Sequence, residues 1–226
     1  MEVQIEHSPG NAAAKIKMKA GESVTAEAGA MIAMGPGITI ETTTYKKGGG
    51  SVFKALKRML AGESFFLNHF SASQDSEIWV GPVLAGDLMT HQLNNETLVV
   101  QSGSFMAAES SVEMDMGWQG FKSMFSGESM FWLKMSGSGK IVLSSFGAIY
   151  PLQVDGAVIV DTGHIVAFDE TLNFTIRKAS KSLIGSILGG EGLVTRFEGK
   201  GTVWCQSHNA TSFGQALGPL LRPRSA

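Results

Sequence analysis

Cysteine is almost missing: Cys205 is the single one in 226 residues, so no disulfide within the chain can hold the fold together. An unpaired thiol beside 12 methionines suits a reducing compartment, and the expected location is the cytoplasm. Long apolar runs are missing as well. No window approaches the roughly 18 consecutive apolar residues that span a bilayer. The start, Met1 to Gly10, carries Glu2 and Glu6 where a secretory signal has an apolar stretch, and it is no Arg-rich transit peptide. Histidine is sparse and scattered at His7, His69, His91, His164 and His208, with none of the His-x-His spacing that metal-binding β-barrels use. Charge of one sign is lacking too. With 18 basic and 20 acidic side chains the net charge is −2, which provides no global field for a polyanion and weighs against nucleic acid.

Glycine is plentiful, at 28 residues, and it punctuates many short β-branched or aromatic runs, the pattern of an all-β chain that turns often. One signal recurs three times: Gly29-Ala-Met-Ile-Ala33, Gly103-Ser-Phe-Met-Ala107 and Gly163-His-Ile-Val-Ala167. Five residues after each alanine an alternating segment begins, at Ile38, Val112 and Leu172, and period two predicts a strand with one buried face. Helical spacing then follows at Phe53, Leu56 and Leu60, at Phe121, Met124 and Phe125, and at Leu183, Ile184, Ile187 and Leu188. Each of these segments ends at a Gly-Glu pair, Gly62-Glu63, Gly127-Glu128 and Gly190-Glu191, with glycine where a helix C-terminus favours a left-handed residue. A hydrophobic strand comes next, over 65–70, 130–135 and 193–197. Gly137 to Lys140 and Gly199 to Gly201 are expected to be turns that lead into the closing strands.

The prediction is one compact body of three units with short helices, about 1–80, 81–143 and 144–213, followed by a tail from Gly214 to Ala226 that is poorly ordered or at most loosely docked. Units this small have thin cores and unpaired strand edges, so they should pack on one another around an approximate threefold axis. Odd internal symmetry also suggests assembly on a matching axis, and a homotrimer is expected.

Lys57-Arg58, Gly62-Glu63-Ser64 and Phe70, then Gly127-Glu128 with Ser136-Gly137-Ser138-Gly139, then Gly190-Glu191-Gly192-Leu193 with Phe197 and Gly199 to Val203 resemble the altered-inheritance-of-mitochondria 24 family over nearly the whole chain. The resemblance implies a double-stranded β-helix, jelly-roll-like fold similar to the trp RNA-binding attenuation protein, repeated three times and assembled as a trimer. It implies cytosolic prokaryotic members of unassigned function, and eukaryotic members tied to mitochondrial inner-membrane organisation. It brings no catalytic residue and no cofactor.

The candidate binding residues are few. Glu63, Glu128 and Glu191 are each followed on the next strand by a base, His69, Lys134 and Arg196, so three acid-base pairs could ring an axis and take a partner or ligand. The plainer reading is that each pair satisfies its own unit. Lys46 and Lys47 precede a glycine run, and Lys57 and Arg58 lie on the polar face of the helix behind it. That face suits a protein partner or a peripheral contact with acidic phospholipid, against the plainer reading of a solvated linker. Ser136 to Lys140 lacks the leading glycine of a phosphate loop and runs into Ile141, so no nucleotide reading follows. With no Gly-x-Ser-x-Gly elbow either, and Cys205 in an alternating strand, no enzyme is expected. The chain is read as a non-enzymatic oligomeric scaffold or binding module. The second reading is RNA or small-ligand binding by analogy of fold.

Overall fold

Between Ala13 and Met18 every second side chain is apolar, and those positions, Ala14, Ile16 and Met18, are the buried ones. The computed structural model describes residues 1–44, 66–115, 132–178 and 193–221, and the same period-two logic builds nearly all of it. The first stretch holds β1 (Glu2–Glu6), β2 (Ala13–Met18), β3 (Ser23–Glu27), β4 (Met31–Met34), β5 (Ile38–Thr44), β6 (Phe66–Ala72) and β7 (Ser76–Val80). The second holds β8 (Leu88–Gln101), β9 (Phe105–Glu109), β10 (Val112–Asp115) and β11 (Trp132–Ser144). The third holds β12 (Ile149–Asp161), β13 (Ile165–Asp169), β14 (Asn173–Lys178) and β15 (Leu193–Gln206). Every named strand pair is antiparallel, and the strands fall into a four-stranded sheet and an 11-stranded sheet. The predicted alternating strands after each Gly-x-x-x-Ala signal are β5, β10 and β14. The three expected short helices and the Gly-Glu pairs that end them lie outside the described residues.

Two expected turns are not turns. β11 runs unbroken through Gly137 to Lys140 and β15 through Gly199 to Gly201. Gly137 and Gly199 have φ of +104° and +122°, a left-handed backbone that bends a strand sharply without ending it. At Gly137 the register against β8 shifts at that bend, a β-bulge, and the ladder resumes from Ser138 opposite Asn94. Only the first stretch has a real break here, between β6 and β7. The C-terminal region contains α1 (Ala210–Leu217), whose first turn is capped by the Asn209 side chain accepting from the Thr211 and Ser212 amides. The segment read as a tail thus begins inside a helix. None of that helix is buried, although the Phe213 ring meets Phe146 edge-on at 5.3 Å.

The Gly-x-x-x-Ala signals lead into β4, β9 and β13, and each of these strands carries one skipped residue. Met31 faces Val80 and Ala33 faces Trp79, passing over Ile32; Phe105 faces Leu143 and Ala107 faces Val142, passing over Met106; Ile165 faces Cys205 and Ala167 faces Trp204, passing over Val166. A second ladder joins successive stretches. β9 pairs with β3, Ala107 opposite Ala26, and β13 pairs with β8, Ala167 opposite Val100. Among the described residues β4 has no such ladder on its outer edge, and neither has the 157–161 part of β12.

The interior follows the same plan, as three hydrophobic clusters. The first, centred on Ile16, Val24, Phe70 and Ile78, is completed by Met106 and Ala107 from β9. The second, centred on Leu93, Leu98, Leu133 and Met135, is completed by Val166 and Ala167 from β13. The third gathers Phe168, Phe197, Ile165 and Val203 with Trp132. In it the Phe168 ring lies 4.9 Å from Phe197, 5.2 Å from Phe174 and 5.4 Å from Trp132, centre to centre, all tilted or edge-on. Phe168→Ala is expected to cost about 3–5 kcal/mol, the range for emptying a buried aromatic site. Urea unfolding followed by tryptophan fluorescence and circular dichroism measures it, and a loss below about 1 kcal/mol would show that the ring is not a keystone of the cluster.

Candidate functional site

Three basic side chains expected at equivalent places do sit at equivalent places in the ladders. His69 lies opposite Thr25, Lys134 opposite Val99 and Arg196 opposite Ile159, and each precedes a fully buried residue, Phe70, Met135 or Phe197. Their partners differ. The His69 ring bridges two hydroxyls, with Nδ1 at 2.9 Å from Thr25 Oγ1 and Nε2 at 2.7 Å from Thr43 Oγ1. Lys134 pairs with Glu170, which follows β13 in the next stretch. Arg196 donates to Glu198 Oε1 from Nη2 at 2.6 Å and from Nε at 3.1 Å. Among the described residues no hydrogen bond or ion pair joins one of these bases to another. Their expected partners Glu63, Glu128 and Glu191 lie outside the described residues, as do Lys46, Lys47, Lys57 and Arg58.

A different set of residues forms a cleft of about 310 Å³. It opens where the end of β3, the end of β8 and the Gly163 turn meet, and the loop after β11 and the start of α1 complete it. Two of its polar groups come from one repeated position, two residues before the signal glycine: Glu27 before Gly29 and Gln101 before Gly103. The third holder of that position, Asp161, accepts from the Gly163 amide at 2.8 Å and from Asn209 Nδ2 at 3.4 Å. Gln206 fastens the floor, its Oε1 accepting from the Phe146 amide at 2.8 Å and its Nε2 donating to the Gly163 carbonyl at 2.9 Å. A Cβ on Gly163 would lie 2.1 Å from Asn209 Nδ2, so glycine is required for Asn209 to cap α1 and close this wall at once.

Glu27 is the chemically distinctive member. Its main-chain carbonyl accepts from the Ala30 amide, whereas its carboxylate has no hydrogen-bond or ion-pair partner among the described residues. Burial alone pushes its pKa up from 4.5 to about 7. At neutral pH the group therefore exchanges between a carboxylic acid, which donates, and a carboxylate, which accepts or pairs with a cation. Cys205 is likewise pushed up by burial, to about 11, and stays a thiol. Among the described residues no three His, Cys, Asp or Glu side chains are placed to hold a metal ion. No described helix is long and apolar enough to cross a membrane.

Sequence reasoning passed over Glu27 because an isolated glutamate at a strand end looks like surface. The signal that was there is the polar residue two places before each signal glycine.

Strand composition, ladder pattern and cleft together define an all-β protein of antiparallel sheets with its candidate site between successive stretches of the chain. It belongs to the mitochondrial biogenesis AIM24 family, whose model matches residues 3–208. An uncharacterised protein of Streptococcus pyogenes serotype M6 is 28% identical over 209 residues, which cover 90% of this chain and 84% of that protein. A crystal structure of a protein from Streptococcus pyogenes superposes with a TM-score of 0.81 at 26% identity, covering 97% of this chain and 99% of that one.

A carboxyl whose pKa is raised in the folded state favours folding in acid, and that contribution is lost as the pH climbs through the window from 4.5 to about 7. Glu27→Gln removes the loss. The variant is expected to be more stable than the parent by about 1–2 kcal/mol at pH 8, a discounted conversion of the shift for a partly exposed group, with the gain fading toward pH 4. Denaturation curves at both pH values measure it, and a gain independent of pH would count against a buried ionisable Glu27.

Proposed function

We propose that this protein is a non-enzymatic, cytoplasmic scaffold or binding module, built from three copies of one jelly-roll-like β unit and working as a homotrimer. The observation that carries the reading is the recurrence of one bulged pairing at Ile32, Met106 and Val166. A bulge is a costly interruption of a ladder, and its return at the same offset from the same glycine supports copying of a whole unit. Repetition of a unit gives repetition of a surface, which is what a scaffold uses to hold several partners. The finer likeness, to the trp RNA-binding attenuation protein and a threefold arrangement, belongs to the same reading. Peripheral contact with acidic lipid through the Lys46, Lys47, Lys57 and Arg58 segment is a secondary role for such a module.

Small-ligand binding is the second reading, and the cleft at Glu27 favours it. An enclosure of about 310 Å³ is at the small end for ligand sites. A carboxyl that both donates and accepts near neutral pH suits a small polar molecule with an amide or amine. RNA is less favoured than either, because Lys134 and Arg196 have carboxylate partners within the chain.

Native purification under low and moderate salt, with light scattering and mass spectrometry of whatever protein, lipid or metabolite travels with the chain, is the test. The expected result is the mass of three chains with a companion in fixed ratio. A single-chain mass with no companion in any fraction overturns the scaffold reading.

A further inference from the structure

Two steps in this chain are the same step. β9 lays its outer edge against β3 with Ala107 opposite Ala26, Ala108 opposite Thr25 and Glu109 opposite Val24. β13 repeats this against β8, with Ala167 opposite Val100, Phe168 opposite Val99 and Asp169 opposite Leu98. In each case the bulged residue next to the ladder is buried, Met106 at 1% exposure and Val166 at 0%. Each step also completes the hydrophobic cluster of the stretch before it.

A third step would need β4 as the donor and residues 157–161 of β12 as the acceptor. Both are present, unpaired with each other, at the ends of their sheets. Ile32, which holds the place of Met106 and Val166, is 61% exposed, with Met31 at 39% and Met34 at 46%. On the acceptor side Ile159 is 51% exposed, whereas Val99, in the same register position of β8, is 1% exposed. The third cluster accordingly has no counterpart to the bulged-strand residues that complete the other two. Residues 31–34 contain no charge and no proline and 157–160 none either, whereas exposed edges ordinarily carry lysine or proline; in β12 the charge and proline, Asp161, Asp155 and Pro151, stand outside the apolar 157–160 run.

We infer that the occupant of each edge is a second copy of this chain: β4 of one molecule pairs antiparallel with residues 157–161 of the next. The internal ladders dictate the register, with Ala33 opposite Val160, Met34 opposite Ile159 and Gly35 opposite Val158. The interface is heterologous, head to tail, so repeating it produces a ring if the rotation closes. This inference rests on the oligomeric part of the proposed function and specifies its surface. It buries Ile32, Met34 and Ile159 together, as the step of β13 onto β8 buries Val166, Phe168 and Val99.

The test uses the full chain and mixes two single variants. Met34→Cys protein and Ile159→Cys protein, combined under mild oxidation, are expected to form a covalent two-chain species, because antiparallel strands bring facing residues within disulfide reach. Met34→Cys mixed with Val158→Cys, one residue out of register, is expected to form markedly less. In a parallel arm, Ile159→Lys is expected to reduce the native mass to a single chain with an unchanged circular dichroism spectrum, since that side chain is exposed within the single chain. Several outcomes overturn the inference. If native mass shows an oligomer but the matched pair does not cross-link and Ile159→Lys leaves the mass unchanged, the interface is elsewhere and only this inference falls. If the double variant Met34→Cys with Ile159→Cys closes within one chain, the third step is internal and the inference falls as well. A single-chain mass for the parent protein removes both the inference and the oligomeric reading.

Discussion

The interaction on which the rest depends is the ladder between one stretch of chain and the next. A unit of this size cannot bury its own sheet edges, and its core lacks one wall. The bulged strand of the following stretch supplies both at once: its backbone pairs with β3 or β8, while Met106 or Val166 enters the cluster beneath. The bulge is what allows both. Without the skipped residue, a strand facing Val142 and Leu143 on one side could not also present a side chain into the neighbouring cluster in the same register. Alanine follows at 107 and 167, at 0% exposure, with a paired strand on either edge.

That account explains why the Gly-x-x-x-Ala signal was legible without coordinates. Its two fixed residues mark the entry turn and the position after the bulge, and their spacing is local. The alternating strands after it were legible in part: Leu172 and Ile176 are buried with Phe174 half-buried between them, whereas in β5 Ile38 is buried and Ile40 is exposed. Ala33 carries the same signal but stands in an exposed strand, and no local pattern could report that among the described residues no strand pairs with its outer edge. Burial at this position is decided by the neighbouring unit. The residue type is set by the unit itself.

The misread segments are informative in the opposite way. Ser136 to Lys140 and Glu198 to Gly201 have the composition of turns, and their glycines do adopt the left-handed backbone that a turn needs. What differs is the partner. β8 and β12 run as single long strands alongside β11 and β15, so the ladder resumes beyond the glycines and a bend replaces a reversal. The first stretch has β2 and β3 as two separate strands with a turn between them, and there β6 and β7 part too, each into a different sheet. A turn-like composition thus gives a bend rather than a reversal where the facing strand is continuous, which is a property of residues some 40 positions away.

The candidate site was the least legible part for a related reason. His69, Lys134 and Arg196 were found because they recur, yet recurrence led to three different pairings, with Thr25 and Thr43, with Glu170 of the next stretch and with Glu198. The cleft arises from the opposite circumstance, a repeated position at which the copies differ. Asp161 is engaged by Gly163 and Asn209, and Ser104 donates to Gln101, whereas the Glu27 carboxylate has no such partner among the described residues and is held near neutrality by burial. A binding site in a repeat protein is better sought where equivalent residues have stopped doing the same work, because a group that packs its own unit in every copy is already spent on folding. On that argument the divergence at Glu27, rather than the conserved geometry of the three bases, is the feature of this chain that points to a ligand.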